Sequence, residues 1–242
     1  MKLLPIIFLA TALSAGNLPP DTGSYFARGC QQFSAGEFPD AAQLFYKSAE
    51  ISPAVGTLLN LGLAEWRRGR AGAAILAWER AGWMDPFDTR VTADLKFARE
   101  TARVDAPQLK WFETASTWLP PDAWAWLAAG SLWFGVALLM LPGIIRRRVA
   151  GWQQTLAALS FGIFLFSLAA NAGVISRGQI GFVLKRNALL TLTPTREGEV
   201  VATLAAGEPA RKVRARGDFV FVRATAGSGW IERTAFQQIC ER

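Results

Sequence analysis

Two stretches of the chain are continuously apolar and contain no charged residue. They run from Ala123 to Ile145 and from Trp152 to Ile175. A helix needs about 20 residues, at a rise of about 1.5 Å each, to cross the apolar core of a bilayer. Neither stretch has a polar face, which disfavours the alternative of a buried helical hairpin in a soluble protein. The pattern therefore predicts two transmembrane helices, over residues 122–145 and 152–175.

A shorter apolar run, Leu3 to Ala15, follows a lysine and leads into small residues. This layout is typical of a secretory signal peptide, predicted over residues 1–16, and an uncleaved anchor is the alternative. The short loop between the two long stretches carries Arg146 to Arg148, and such a loop stays in the cytoplasm under the positive-inside rule. We therefore expect a cytoplasmic loop at 146–151 and both flanking regions outside the cytoplasm.

Between residues 24 and 86, many residue pairs recur at a spacing of 33. The matched pairs are Gly29 and Gly62, Phe33 and Trp66, Gly36 and Gly69, Ala41 and Ala74, Phe45 and Trp78, and Pro53 and Pro86. Each unit is interpreted as two helices. The first helix ends before Gly36 or Gly69, and the second ends before the proline, because glycine and proline interrupt helices.

The small residues of the repeat are predicted to lie where helices cross. Gly29 and Gly62 would let the two helices of each pair approach closely, while Phe45 and Trp78 fill the space between neighbours. An amphipathic segment from Asp88 to Arg103 is predicted to add a fifth helix that caps the stack.

The segments GCQQFSAGEFPDAAQLFYKSAEISP and LGLAEWRRGRAGAAILAWERAGWMDP carry the Gly, Ala, aromatic and Pro pattern of the tetratricopeptide repeat, which region 22–104 resembles. The chain departs from that pattern at Arg28 and Ser48. The resemblance implies an α-helical solenoid whose concave surface binds peptides or partner proteins. Candidate groove residues are Phe26, Phe33, Leu59, Asn60, Leu63, Trp66 and Arg67. The alternative for the apolar members is that they only pack the solenoid.

Tryptophans cluster around the long apolar stretches. Trp111, Trp118, Trp124 and Trp126 lie near the start of the first stretch, and Trp152 opens the second. Indole rings favour the headgroup level of a bilayer, so residues 105–121 are predicted to form an interfacial linker.

After Gly181 the chain changes to short alternating runs broken by turn signals, which are typical of β-strands. The region 179–242 resembles bacterial SH3-like domains, and the resemblance implies a small β-barrel. The residues that carry it are the turn from Leu204 to Gly207, Gly217 with Asp218 and Phe219, the strand FVFVR, and the closing Gly229, Trp230 and Ile231. Phe219 stands where family members often have Trp.

Three cations alternate with apolar residues in this region. Lys212, Arg214 and Arg216 are predicted to project from one face of a strand, while Val213 and Ala215 point inward. The basic face is a candidate for contact with anionic lipid headgroups or cell-wall polymer. The alternative is that these cations are simply solvated, and that their charge disfavours pairing of an exposed strand edge with another strand.

Composition disfavours catalysis. The chain has no His and two Cys, which removes triads with a His base and the usual zinc ligand sets. It has no Gly-rich phosphate cradle and no Ser or Cys paired with a base, so we expect neither an enzyme nor a cofactor or metal site. A disulfide bond between Cys30 and Cys240 is kept as an alternative to two free cysteines. The charge of +7 is not concentrated as in a nucleic-acid-binding domain.

The order of signal peptide, helical repeats, two spans and SH3-like region is similar to that of the BatE-type proteins of the bacterial aerotolerance cluster. The resemblance implies a multidomain α and β protein of the inner membrane. In that family the protein is a scaffold without catalysis, which works with membrane-anchored von Willebrand factor A proteins and a MoxR-type ATPase. A peptidoglycan-sensing or anchoring protein that acts through the SH3-like region is the alternative function.

Overall fold

The computed structural model describes residues 20–144 and 150–240. The predicted signal peptide and the arginines of the predicted cytoplasmic loop lie outside the described residues. The helices are α1 (Pro20–Ser34), α2 (Phe38–Ile51), α3 (Val55–Arg67), α4 (Ala71–Met84), α5 (Thr89–Ala102), α6 (Trp111–Ala115), α7 (Pro121–Ile144) and α8 (Gly151–Arg177). The strands are β1 (Ile180–Val183), β2 (Ala188–Thr191), β3 (Val200–Leu204), β4 (Pro209–Arg216), β5 (Phe219–Ala224), β6 (Gly227–Glu232) and β7 (Phe236–Gln238).

Helices α1 to α5, here called the helical region, include both predicted helix pairs and the predicted fifth helix. The turns within the pairs contain Gly36 and Gly69, whose φ angles of +84° and +78° fall in the left-handed region that favours glycine. Asp88 caps α5, since its side chain accepts a hydrogen bond from the backbone N–H of Arg90 at 2.9 Å. The predicted helix ends are confirmed because these stop and start signals are local.

Close packing within each pair depends on one glycine. A Cβ atom at Gly29 would lie 2.7 Å from the Phe45 ring, and one at Gly62 would lie 2.4 Å from Nε1 of Trp78. Phe45 and Trp78 are each 1% exposed. The Trp78 indole N–H donates a hydrogen bond of 3.2 Å to the Leu59 carbonyl. The predicted role of the two glycines is confirmed.

Among the described residues, two helices are long and apolar enough to cross a membrane. These segments are Pro121–Pro142, with 22 residues, and Gly151–Arg177, with 27. Most of their surface is exposed, including Trp133 at 69%. Such exposure is not the pattern of a buried hairpin in a soluble core. The prediction of two helices able to span a bilayer is confirmed at this level.

Helices α7 and α8 pack against each other in opposite directions. The rings of Trp124 and Phe166 lie 5.9 Å apart, and a Cβ atom at Gly135 would lie 3.3 Å from Ser160. Trp124, near the start of α7, therefore meets a part of α8 that lies further along the chain than the part that Gly135 meets. As a result, the start of α7 and the end of α8 lie at the same end of the pair.

The seven strands form one antiparallel sheet, here called the β region, in the order β3-β2-β6-β5-β4-β1-β7. The sheet is not closed among the described residues, so β3 and β7 are its end strands. The antiparallel β region after α8 is confirmed, but a closed barrel is not. At the β7 end, Arg80 of α4 donates hydrogen bonds to the carbonyls of Gln238 and Ile239, at 2.9 and 3.0 Å.

The helical region and the β region share one hydrophobic core. Ile180, Phe182 and Ile239 belong to the same buried cluster as the side chains of α2 to α5. Gly72 permits this contact, because a Cβ atom there would lie 2.3 Å from the carbonyl oxygen of Val183. A second cluster fills the interior of the β region alone. The two regions therefore pack as one unit, which the sequence did not indicate.

Candidate functional site

Three of the predicted groove residues pack helices together. The half-buried Phe26 places its ring 5.6 Å from that of Phe45, and the Phe33 ring lies 5.2 Å from that of Phe38. The carbonyl of Leu59 accepts the indole N–H of Trp78. These contacts favour a structural role for the residues of α1.

Four predicted groove residues of α3 reach the surface to different degrees. Asn60 and Leu63 are half-buried, while Arg67 is exposed, and their spacing of three and four residues places them along one helix face. Trp66 is also half-buried, and its ring lies 5.5 Å from that of Phe97 on α5. Asn60, Leu63 and Arg67 therefore share one face of α3, and Trp66 contacts α5.

The predicted cations of β4 do not form one open face. Lys212 donates a hydrogen bond of 2.8 Å to the side-chain oxygen of Gln238. The Arg214 guanidinium lies 5.1 Å from the ring centres of both Phe221 and Trp230. A cation held over two aromatic faces is stabilised by the ring quadrupoles. Two of the three cations are therefore engaged within the β region.

The prediction that Val213 and Ala215 point inward is wrong. Val213 is 54% exposed, and Ala215 and Arg216 are exposed as well. The pairing of β4 with β5 shifts register between Lys212 and Arg214. A bulge of this kind adds a residue to one strand, so the simple alternation of faces does not continue through it.

The residues that carried the SH3-like resemblance lie in turns or against the sheet core. Gly217 has a φ of +55° in the turn between β4 and β5. A Cβ atom at Gly229 would lie 2.8 Å from Leu190. Trp230 is buried, whereas Phe219 is half-buried. All four positions are structural in this arrangement.

A buried carboxylate joins three distant parts of the chain. Glu113 of α6 is 0% exposed. Its oxygens accept two hydrogen bonds from the Arg211 guanidinium, at 2.7 and 3.0 Å, and one from the Ser176 hydroxyl, at 2.5 Å. The backbone N–H of Lys110 donates a further bond of 2.9 Å. The linker, the end of α8 and strand β4 therefore meet at one ion pair.

The hydrogen bonds at this site decide the charge of Glu113. Burial raises the pKa of its carboxyl group, but the hydrogen bonds from Arg211, Ser176 and the Lys110 backbone, together with the positive charge of Arg211, lower that pKa by more. The net pKa lies below the ordinary glutamate value. Glu113 is therefore ionised at neutral pH and forms a fully hydrogen-bonded pair with Arg211, which is the arrangement a buried charge requires.

A second branch extends this site toward the helical region. Arg177 donates a hydrogen bond of 3.2 Å to the Ser116 hydroxyl, and its guanidinium lies 4.8 Å from the ring centre of Trp83. Nearby, Glu79 of α4 pairs with Arg99 of α5. Burial raises the pKa of Glu79, whereas Arg99 and Arg177 oppose that rise. We call Glu113, Ser116, Ser176, Arg177 and Arg211 the ionic junction.

The short helix α6 is pressed against the end of α8. A Cβ atom at Gly173 would lie 2.2 Å from the carbonyl oxygen of Phe112. The Trp124 indole N–H donates a hydrogen bond of 3.3 Å to the Ser116 carbonyl. Part of the predicted interfacial linker, residues 105–121, is therefore a tightly packed connection between helices.

The ionic junction is expected to lose stability in acid. Because the folded pKa of Glu113 is lower than its unfolded pKa, its stabilising contribution is complete above the unfolded value and is lost as pH falls through the folded value. We expect the difference in thermal unfolding midpoint between the wild type and Glu113→Gln to shrink from neutral pH to about pH 3. Glu197→Gln, at an exposed position, is the control. A difference that stays constant over this range would show that the charge of Glu113 does not contribute.

The chemistry available at the junction is structural. Both oxygens of Glu113 already accept hydrogen bonds, so its carboxylate is fixed in an ion pair. Over the described ranges, no group of three His, Cys, Asp or Glu side chains is placed to hold a metal ion. Comparison with protein-family models, with curated proteins and with solved structures gave no match to this chain.

Proposed function

We propose that the chain is a membrane-anchored scaffold without catalysis of its own, which binds partner proteins through its helical region. The observation that carries this proposal is the ionic junction. It ties the end of α8 to both the linker and β4 through partly buried hydrogen bonds. The shared core fixes the helical region to the β region. A scaffold requires this kind of fixed placement relative to its anchor.

The proposed location is the bacterial inner membrane, with both extramembrane regions in the periplasm. Helices α7 and α8 return the chain to the side from which it entered. Trp118 and Trp126, near that end, are 60% and 78% exposed, as suits residues at the headgroup level. The predicted signal peptide and the arginines at 146–148 support the outer side for this end.

The proposed binding surface follows α3. Its Asn60, Leu63 and Arg67 share one face and offer an amide, an apolar side chain and a guanidinium. The regular helix pairs support a tetratricopeptide-type solenoid, in which the first helix of each pair lines the groove. We also propose that the β region is an SH3-like domain. By the resemblance to BatE-type proteins, we propose von Willebrand factor A membrane proteins and a MoxR-type ATPase system as the partners.

Crosslinking in intact membranes, followed by mild-detergent purification and identification of the captured proteins, tests this function. We expect the double substitution Asn60→Ala and Arg67→Ala to release a partner that the wild type captures. Surface substitutions change stability by about 0.5 kcal/mol or less, so the unfolding midpoint should be nearly unchanged.

Arg223→Ala is the matched control, because Arg223 is an exposed arginine on β5. It should capture the same partner as the wild type. Equal capture by the Asn60 and Arg67 double variant would contradict the proposed surface. Capture of wall fragments alone would favour peptidoglycan anchoring instead.

A further inference from the structure

A cavity of about 390 Å³ lies where the helical region meets two loops of the β region. Trp66 of α3, Thr101 and Ala102 of α5 form its helical side. Arg186, before β2, and Ala205 and Ala206, after β3, form the other side. The cavity therefore exists only because the two regions pack together. We call it the composite pocket.

The lining combines an aromatic surface with a single charge. Trp66 is half-buried, and small alanine side chains leave room beside it. Of the described residues that line the pocket, Arg186 is the one with a charged side chain. Its guanidinium donates a long hydrogen bond of 3.4 Å to the Gly69 carbonyl. A guanidinium has five N–H donors in a planar fork that matches a carboxylate, so Arg186 retains capacity for a ligand.

Two further cations are sequence neighbours of residues that line the pocket. Arg67 follows Trp66 and Arg103 follows Ala102 along the chain, and both arginines are exposed. Arg103 has a φ of +54° at the end of α5. Each of these arginines is the sequence neighbour of a lining residue, so both add positive charge near the helical side of the cavity, which favours an acidic ligand.

We propose that the composite pocket binds an extended acidic peptide segment, with an apolar side chain against Trp66 and the adjacent carboxylate on Arg186. A peptide fits better than a small anion because the pocket is open and Trp66 also belongs to α3, which carries the proposed binding surface. The inference rests on the proposed function and specifies the chemistry of the partner segment. The pair of guanidinium and carboxylate would fix the orientation of the bound peptide, and the aromatic ring would contact its apolar side chain.

The test uses the full chain in mild detergent and fluorescein-labelled peptides of the form Gly-Ser-X-Glu-Ser-Gly, where X is Phe, Leu or Trp. Counterparts with Gln in place of Glu lack the charge. Fluorescence anisotropy should show that Arg186→Gln weakens binding of the Glu peptides about tenfold, since a hydrogen bond to a charged group is lost. Binding of the Gln peptides should be weaker in the wild type and unaffected by this substitution. Arg223→Gln, on exposed β5 surface, is the control.

A second variant tests the cavity itself. Ala206→Phe should fill it and abolish binding of both peptide sets, whereas Ala226→Phe, in an exposed turn, should not. Equal affinity of the wild type for Glu and Gln peptides would overturn the proposal. So would unchanged binding in Arg186→Gln or Ala206→Phe, or no binding of any Glu peptide to the wild type.

Failure of this inference can be told apart from failure of the proposed function. Partner capture is measured in membranes and depends on Asn60 and Arg67, whereas peptide binding is measured on purified protein and depends on Arg186. If partner capture requires Asn60 and Arg67 but peptide binding is insensitive to Arg186→Gln, the proposed ligand of the pocket is wrong and the proposed scaffold function stands. If the protein discriminates Glu from Gln peptides but captures no partner, the proposed ligand of the pocket stands and the proposed scaffold function is wrong.

Discussion

Replacing Glu113 by alanine is expected to lower the free energy of unfolding by about 3 kcal/mol. Removing one partner of a buried ion pair typically costs about 3 to 5 kcal/mol, because the other charge is left without compensation. The lower end applies here, since the Arg211 side chain remains 27% exposed and can recruit water. The loss should appear as a lower thermal unfolding midpoint of the purified protein. Hydrogen exchange over residues 111–116 should also become faster.

A double-mutant cycle distinguishes loss of the ion pair between Glu113 and Arg211 from nonspecific destabilisation of the fold. The loss in the combined variant Glu113→Ala and Arg211→Ala should be smaller than the sum of the single losses, because each single change already removes the same interaction. Glu197→Ala, at an exposed position, serves as the control and should leave the midpoint nearly unchanged. A midpoint for Glu113→Ala equal to that of the control would mean that the ionic junction does not hold the regions together.

The helical region was predictable because its signals are local. The left-handed turns require glycine at Gly36 and Gly69, and the repeat places the same signals 33 residues apart. Packing within each pair was also predictable, since a glycine on one helix faces a large ring on the next. These inferences need only a few dozen residues of sequence.

The arrangement of the β region could be predicted only in part. Alternation located the strands, but it says nothing about which strands end the sheet. Closure depends on long-range contacts, and at one end Arg80 of α4 covers the carbonyls of Gln238 and Ile239. The prediction that Val213 points inward is wrong because a register shift in β4 interrupts the alternation of inward and outward side chains.

The ionic junction left no local signal. The two side-chain partners of Glu113 lie 63 and 98 positions further along the chain, so no spacing rule connects them. A single glutamate among the tryptophans of the linker is ambiguous until the fold places Arg211 beside it. The composite pocket could not be predicted from the sequence for the same reason, since its two sides come from regions that lie far apart along the chain. Both features arise from the contact between regions.

Gly62→Ala is expected to destabilise the fold by about 2 kcal/mol. The added methyl group would lie 2.4 Å from Nε1 of Trp78, which is 1% exposed and has little freedom to move. Overpacking a core costs about 1 to 3 kcal/mol, and displacing the indole from the Leu59 carbonyl costs about 1 kcal/mol more. The higher helix propensity of alanine returns about 1 kcal/mol. Thermal unfolding of the purified protein measures the net loss.

The same helix contains the matched control. Gly56 lies in α3, where an added Cβ atom would meet no other part of the described chain within 4 Å, so Gly56→Ala gains helix propensity without a clash. It should raise stability by about 0.5 to 1 kcal/mol. Adding Trp78→Leu to Gly62→Ala should cost less than the two single changes summed, because the smaller side chain gives the methyl group room. Shifts of the same sign at Gly56 and Gly62 would contradict close packing as the reason for glycine at Gly62.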